Sequence, residues 1–119
     1  MTRRILIIHN PTAGKRGTAL LDCVVAALCA RGLAPEVVTT EWPEHATDLA
    51  LSADADLVVA AGGDGTINEV VHGLMTRDCA RPAFATLPLG TINVLALELG
   101  LPRDVAGFAG VLACWLMGP

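Results

Sequence analysis

Apolar positions along the chain fall into two alternating patterns. Residues 4–8, 36–40, 57–61 and 83–87 are short runs rich in Ile, Val, Leu and Ala. Runs of this length read as strands, and the continuously apolar ones suit a parallel sheet covered on both faces. Between them the period changes. In residues 18–30, Leu21, Val24, Val25 and Leu28 recur at i, i+3, i+4 and i+7, the spacing of one helix face. Gly32 is placed to end that helix as a C-cap. Residues 44–53 and 66–76 read as two more helices. A short one follows Thr91, and a last one spans roughly 103–117. The alternation predicts an α/β fold, a three-layer, doubly wound and mostly parallel sheet.

In such sheets ligands bind beyond the carboxyl ends of the strands. Three loops fall there: residues 10–17, 62–65 and 88–93. All are rich in glycine or small polar residues. The middle loop, Gly62-Gly63-Asp64-Gly65, has the barest backbone, and a helix beginning near Thr66 points its free N–H groups and positive dipole end toward it. Glycine also lets backbone N–H groups approach a ligand closely. That combination favours a phosphate. Asp64 would repel a phosphate unless a magnesium ion or a phosphate-accepting hydroxyl stands between them. A purely structural reading competes: Thr66 and Glu69 fit a capping box, and Asp64 could be a further cap. Thr91 is a plausible N-cap after the turn at Gly90, and Asn93 offers both a donor and an acceptor. The established phosphate fingerprints fail in detail. Arg16 follows Gly14-Lys15, and Asn68 stands where a dinucleotide loop needs its third glycine.

Composition narrows the classes. The chain of 119 residues is 53% apolar and 17% charged, which suits one globular domain. A formal charge of −4 argues against nucleic acid as a partner. The four cysteines form no CxxC pair, and the apolar run after the first arginines is too short for a secretory leader. They read as buried, reduced thiols in a cytoplasm. His9, His45 and His72 are scattered, so no metal cluster is expected, and Ser52 lacks a nucleophile-elbow context. Trp42 and Trp115 read as packing residues rather than platforms for stacked bases. Residues 105–118 carry no charge but are short of the roughly twenty needed to span a bilayer.

Taken together, the three loops resemble the diacylglycerol kinase catalytic-domain family, which includes bacterial lipid kinases and sphingosine kinases. The matching stretches are Asn10-Pro11-Thr12-Ala13-Gly14, Gly62-Gly63-Asp64-Gly65-Thr66 and Pro88-Leu89-Gly90-Thr91-Ile92-Asn93. The resemblance implies a phosphofructokinase- or NAD kinase-like N-terminal domain. It also implies that Asn10, Thr40, Gly62, Gly63, Asp64, Gly65, Thr66, Ile67, Asn68, Gly90, Thr91 and Asn93 surround ATP, with Mg2+ as cofactor. Asp64 would orient the metal or the acceptor. Val94 departs from the pattern, since many members carry Asp there. Family enzymes carry a second, β-rich domain that supplies the general base and further metal-binding carboxylates, and residues 1–119 are expected to be the ATP-binding domain without it. The expected reaction moves the γ-phosphoryl group of ATP to a diacylglycerol-like hydroxyl, in the cytoplasm and peripheral to a membrane. The isolated chain is expected to be inactive. An NAD kinase-like domain and a non-catalytic assembly module are the alternatives. The helix over 103–117 is apolar all round, which predicts a homo-oligomer through that helix.

Overall fold

The two continuously apolar runs become the two central strands. The computed structural model describes residues 4–88. Strands β1 (Ile5–His9), β2 (Glu36–Thr39), β3 (Leu57–Gly62) and β4 (Ala83–Pro88) form one sheet in the order β2-β1-β3-β4, every neighbouring pair parallel. All residues of β1 and β3 are buried, whereas β2 is an edge strand with mostly exposed residues. Helices α1 (Gly14–Ala30), α2 (His45–Ser52) and α3 (Asp64–Thr76) make the connections.

Alternation along the strands splits the core into two layers. Ile5, Ile7, Leu57, Val59, Ala61 and Leu87 pack on one face against Leu21, Val24 and Leu28 of α1. Leu6, Ile8, Val58 and Ala60 pack on the other against Ala46 and Ala50 of α2 and Ile67, Val70 and Leu74 of α3. This is the expected three-layer, doubly wound arrangement. The chain leaves β1 for β2 on one side and later places β3 on the other. The switch point of the sheet therefore lies between the carboxyl ends of β1 and β3, where ligand crevices open in this architecture.

Helices α2 and α3 touch almost backbone to backbone. A Cβ on Gly73 would sit 2.5 Å from the Thr47 carbonyl oxygen and 2.7 Å from the Ala50 Cβ. The Thr47 hydroxyl donates to the Glu69 carbonyl at 2.8 Å. At the far end, the Arg77 guanidinium donates to the carbonyls of Ala50 (2.9 Å) and Ala53 (3.1 Å), tying the end of α3 to the open last turn of α2.

Three expectations are corrected. Helix α1 starts at Gly14, four residues before Thr18, so the loop after β1 shrinks to Asn10 and a 3-10 turn, Pro11–Ala13. The Asn10 side-chain oxygen accepts from the Thr12 N–H (2.9 Å) and the Thr12 hydroxyl (2.8 Å), an Asx-type turn that feeds the helix early. Cys23, Cys29 and Cys79 are free but exposed, not buried. Cys23 and Cys29 lie on α1 away from the Leu21, Val24 and Leu28 face, and burying thiols there would require a further layer. Helix α3 starts at Asp64 instead of Thr66. The helices expected after Thr91 and over 103–117, with Cys114, Trp115 and the self-association stripe, lie outside the described residues.

The Gly73 contact generates a stability prediction. Gly73→Ala gains about 1 kcal/mol of helix propensity but forces a methyl into backbone that cannot yield locally. The expected net result is a loss of about 1–2 kcal/mol in urea unfolding. A variant as stable as the wild type would show that the two helices separate at no cost.

Candidate functional site

Three strand ends reach the same rim. The Thr40 N–H donates to the His9 carbonyl at 2.8 Å, and the Asn10 N–H donates to the Ala61 carbonyl at 3.1 Å. These bonds extend the parallel ladders one step past the strands. They place Thr40, Asn10 and Gly62 side by side, each about 4.8 Å from its neighbour by strand spacing. Of the residues expected around the ligand, the structure thus brings together Asn10, Thr40, Gly62, Gly63, Asp64, Gly65 and Thr66. Gly90, Thr91 and Asn93 lie outside the described residues.

The three glycines have different physical reasons. A Cβ on Gly62 would meet the Thr66 hydroxyl at 2.7 Å, the Thr66 Cβ at 3.0 Å and the Asn10 Cβ at 3.4 Å. Gly62 is therefore demanded by the fold: it lets the α3 N-terminus close onto the strand end and onto the loop after β1. Around Gly63 and Gly65 a Cβ would meet nothing within 4 Å among the described residues. Neither has a positive φ; among the described glycines only Gly32 does. So packing among the described residues asks for glycine at neither position. What their bareness provides is open space above a helix N-terminus, where the first N–H groups have no intrahelical acceptor.

The capping-box expectation fails here. Gly63, in extended conformation, is the N-cap of α3, and no side-chain cap bond is made. Thr66 is the third helical residue, 3% exposed and turned in over Gly62. A single residue suffices to switch from β3 to α3, so the helix starts earlier than the pattern suggested. Asp64 stands in the first turn, where the helix dipole favours a carboxylate on its own account. Ile67 belongs to the core, 1% exposed, and its N–H donates to the Gly63 carbonyl at 3.2 Å, so it offers nothing to the rim. Asn68 is exposed on the same helical side as Asp64, one turn on.

Two features were not legible as site features. His9, at the end of β1, faces the α1 side with Ile5 and Ile7, is 5% exposed, and its Nε2 has no hydrogen-bond partner among the described residues. Burial lowers its pKa from the ordinary 6.5, while the Asp22 carboxylate on α1 works the other way. Trp42, read as a packing residue, is 52% exposed just beyond β2. A single aromatic in an apolar chain gives no sequence signal for which side it faces. Among the described residues no group of three or more His, Cys, Asp or Glu is placed to hold a metal ion.

Two predictions follow from this geometry. Gly65→Ala leaves the fold intact and raises stability by up to about 1 kcal/mol in thermal or urea unfolding, since the methyl enters open space on a helix; a clear loss would mean that the space is filled by the chain itself. For His9, the imidazole is neutral in both folded and unfolded states well above pH 6.5. Below 6.5 the unfolded chain takes up a proton that the folded chain resists, so stability falls until the lowered folded value is passed. Urea midpoints measured from pH 8 to 5 should therefore fall less steeply for His9→Leu than for the wild type. Equal slopes would place the imidazole in water.

Comparison with known proteins accords with this geometry. The sequence pattern described as the diacylglycerol kinase catalytic domain matches residues 4–114. A diacylglycerol kinase of Staphylococcus epidermidis is 38% identical over 116 residues, covering 94% of this chain and 36% of that protein. One of Staphylococcus haemolyticus is 39% identical over 110 residues, covering 89% and 33%. A crystal structure of a diacylglycerol kinase from Bacillus anthracis superposes with a TM-score of 0.79 at 30% identity, over 93% of this chain and 42% of that one. The chain thus spans about a third of the length of the curated relatives it matches. With its three-layer parallel sheet, its bare loop after β3 and this match along nearly its whole length, the chain belongs to the diacylglycerol kinase catalytic domain family.

Proposed function

We propose that the chain is the nucleotide-holding part of a lipid kinase that passes the γ-phosphoryl group of ATP to the hydroxyl of a diacylglycerol-like lipid. The observation that carries this reading is the space over Gly63 and Gly65 at the α3 N-terminus, which packing among the described residues leaves open and unexplained. Phosphate oxygens there would accept from the first N–H groups of α3. The Asn10 side-chain oxygen is used inside its own turn, so its amide N–H groups are the part that faces ATP. Thr40 lies two strands away from Gly62, about 10 Å by strand spacing, on the side where the adenosine end would rest.

The donor set fits a magnesium ion carried in with the nucleotide. One carboxylate, Asp64, stands at the phosphate end, and Mg2+ commonly takes one or two carboxylates and completes its shell with water and phosphate oxygens. Bound there, the ion would neutralise charge on the phosphates. Transfer of this kind depends on positioning and charge neutralisation. The bond from the γ-phosphorus to its bridging oxygen breaks, a bond to the lipid oxygen forms, ADP leaves, and the hydroxyl proton passes to a base. We assign that base and the remaining metal carboxylates to the further length that the relatives have. No helix among the described residues is long and apolar enough to cross a membrane. In this reading the lipid is met at a membrane surface. The Gly-Gly-Asp-Gly-Thr loop alone would also suit an NAD kinase. The match over residues 4–114 favours the lipid as acceptor.

Titration of the 119-residue chain with ATP and Mg2+ tests the reading. With part of the cleft supplied elsewhere, the expected dissociation constant is on the order of 0.1–1 mM. NMR shifts should centre on Gly63 to Thr66, Asn10 and Thr40; shifts confined to other regions would overturn it. Gly65→Ala should weaken ATP about fivefold or more although the fold is kept, a penalty of about 1 kcal/mol. In Asp64→Asn the gain in ATP affinity on adding Mg2+ should disappear, because an amide brings no charge to the ion; a retained gain would assign Asp64 to the helix dipole alone.

A further inference from the structure

Among the described residues, Trp42 is an exposed aromatic with no part in the phosphate site. It is 52% exposed, on the segment joining β2 to α2, two residues after Thr40. Its ring is not loose. It stacks on the His45 imidazole with centroids 3.6 Å apart and planes 15° from parallel. His45 is buried, and its Nδ1 accepts the Glu41 N–H at 3.0 Å, which fixes the imidazole orientation. The turn is closed by the His45 N–H donating to the Trp42 carbonyl at 3.2 Å, with Glu44 held at φ 68°. One indole face is thus covered and pinned, and half of the residue's surface remains in solvent.

The position matters as much as the ring. Helices α2 and α3 lie on the same face of the sheet, and both begin at its carboxyl end. They meet where Thr47 bonds to Glu69. Trp42 lies three residues before the start of α2 and Asp64 opens α3, so both stand at the carboxyl end of the sheet, where the two paired helices begin. Close-packed helices are about 8–10 Å apart. A flat, apolar group there, joined by a short polar spacer to phosphates at Gly63 and Gly65, has the shape of a nucleotide.

We infer that Trp42 is a preformed stacking shelf for the purine base of the nucleotide, with His45 as the positioning residue beneath it. The inference rests on the nucleotide reading above and adds to it the group that recognises the base. A shelf held before binding loses little rotamer freedom on contact. Stacking on an aromatic face is tolerant of which base is present, so Trp42 would raise affinity for nucleotides over bare polyphosphate without a strict choice of purine.

The experiment compares ATP with inorganic tripolyphosphate, both with Mg2+, on the wild-type chain, Trp42→Ala and Trp42→Phe. NMR reports the Trp42 indole N–H together with the amides of Gly63 to Thr66. In the wild type, ATP should shift both sets, while tripolyphosphate shifts only the loop amides. Trp42→Ala should weaken ATP on the order of tenfold and leave tripolyphosphate unchanged, and Trp42→Phe should recover most of the loss. Loop shifts with ATP but unchanged affinity in Trp42→Ala would overturn the shelf and leave the phosphate site standing. If neither ligand shifts Gly63 to Thr66, the nucleotide reading falls and the shelf falls with it. Equal weakening of both ligands would show a disturbed fold rather than a lost stack, and would also count against the shelf.

Discussion

The parallel pairing of β1 with β3 is the constraint on which everything else hangs. Ile5 pairs with Leu57 and His9 with Ala61, and both strands are buried along their length. Each supplies alternate residues to both cores, so neither layer can form without this pair. The same pairing creates the switch point: the chain leaves β1 toward α1 on one face and leaves β3 toward α3 on the other. The crevice between those exits is a consequence of topology, and the two loops that line it are the ones that the apolar runs deliver there.

At that crevice the structure separates two uses of glycine. Gly62 is bare because Thr66 and Asn10 occupy the space a side chain would need. Gly63 and Gly65 are bare where nothing among the described residues fills the space. The first is explained by packing; the others leave room for the ligand proposed above. Asp64 has both explanations at once. A carboxylate in the first turn of a helix is favourable, and the same position suits an ion brought in with a phosphate.

The places where local rules are broken gather toward the same end of the sheet. Glu44 has a left-handed backbone without being glycine. His9 Nε2 and the hydroxyl of Thr86, near the end of β4, are buried without hydrogen-bond partners among the described residues. The amino end of the sheet is more conventional: the Arg4 N–H is met by the Asp56 carboxylate at 2.7 Å. Departures of this kind persist only where surrounding structure holds them, and they concentrate where a fold is built to do something.

The strands, the helices among the described residues and the three-layer class were legible because a buried parallel strand has to be apolar on both faces and a covering helix on one. The loops after β1 and β3 were legible because glycine and small polar residues stand out between such runs. Helix starts were less so. Asn10 turning on Thr12 and the one-residue switch at Gly63 each began a helix earlier than the periodicity did, because polar and glycine residues in a first turn carry no apolar period. Which glycine served the fold, and which side Trp42 faced, only the tertiary structure decided. Both depend on distances between residues far apart in the chain: Thr47 to Gly73, Asn10 to Gly62, β2 to its open edge. The sequence by itself determined that a sheet would form with bare loops at its carboxyl ends. Packing across the sheet decided which of those atoms were enclosed and which were left facing outward.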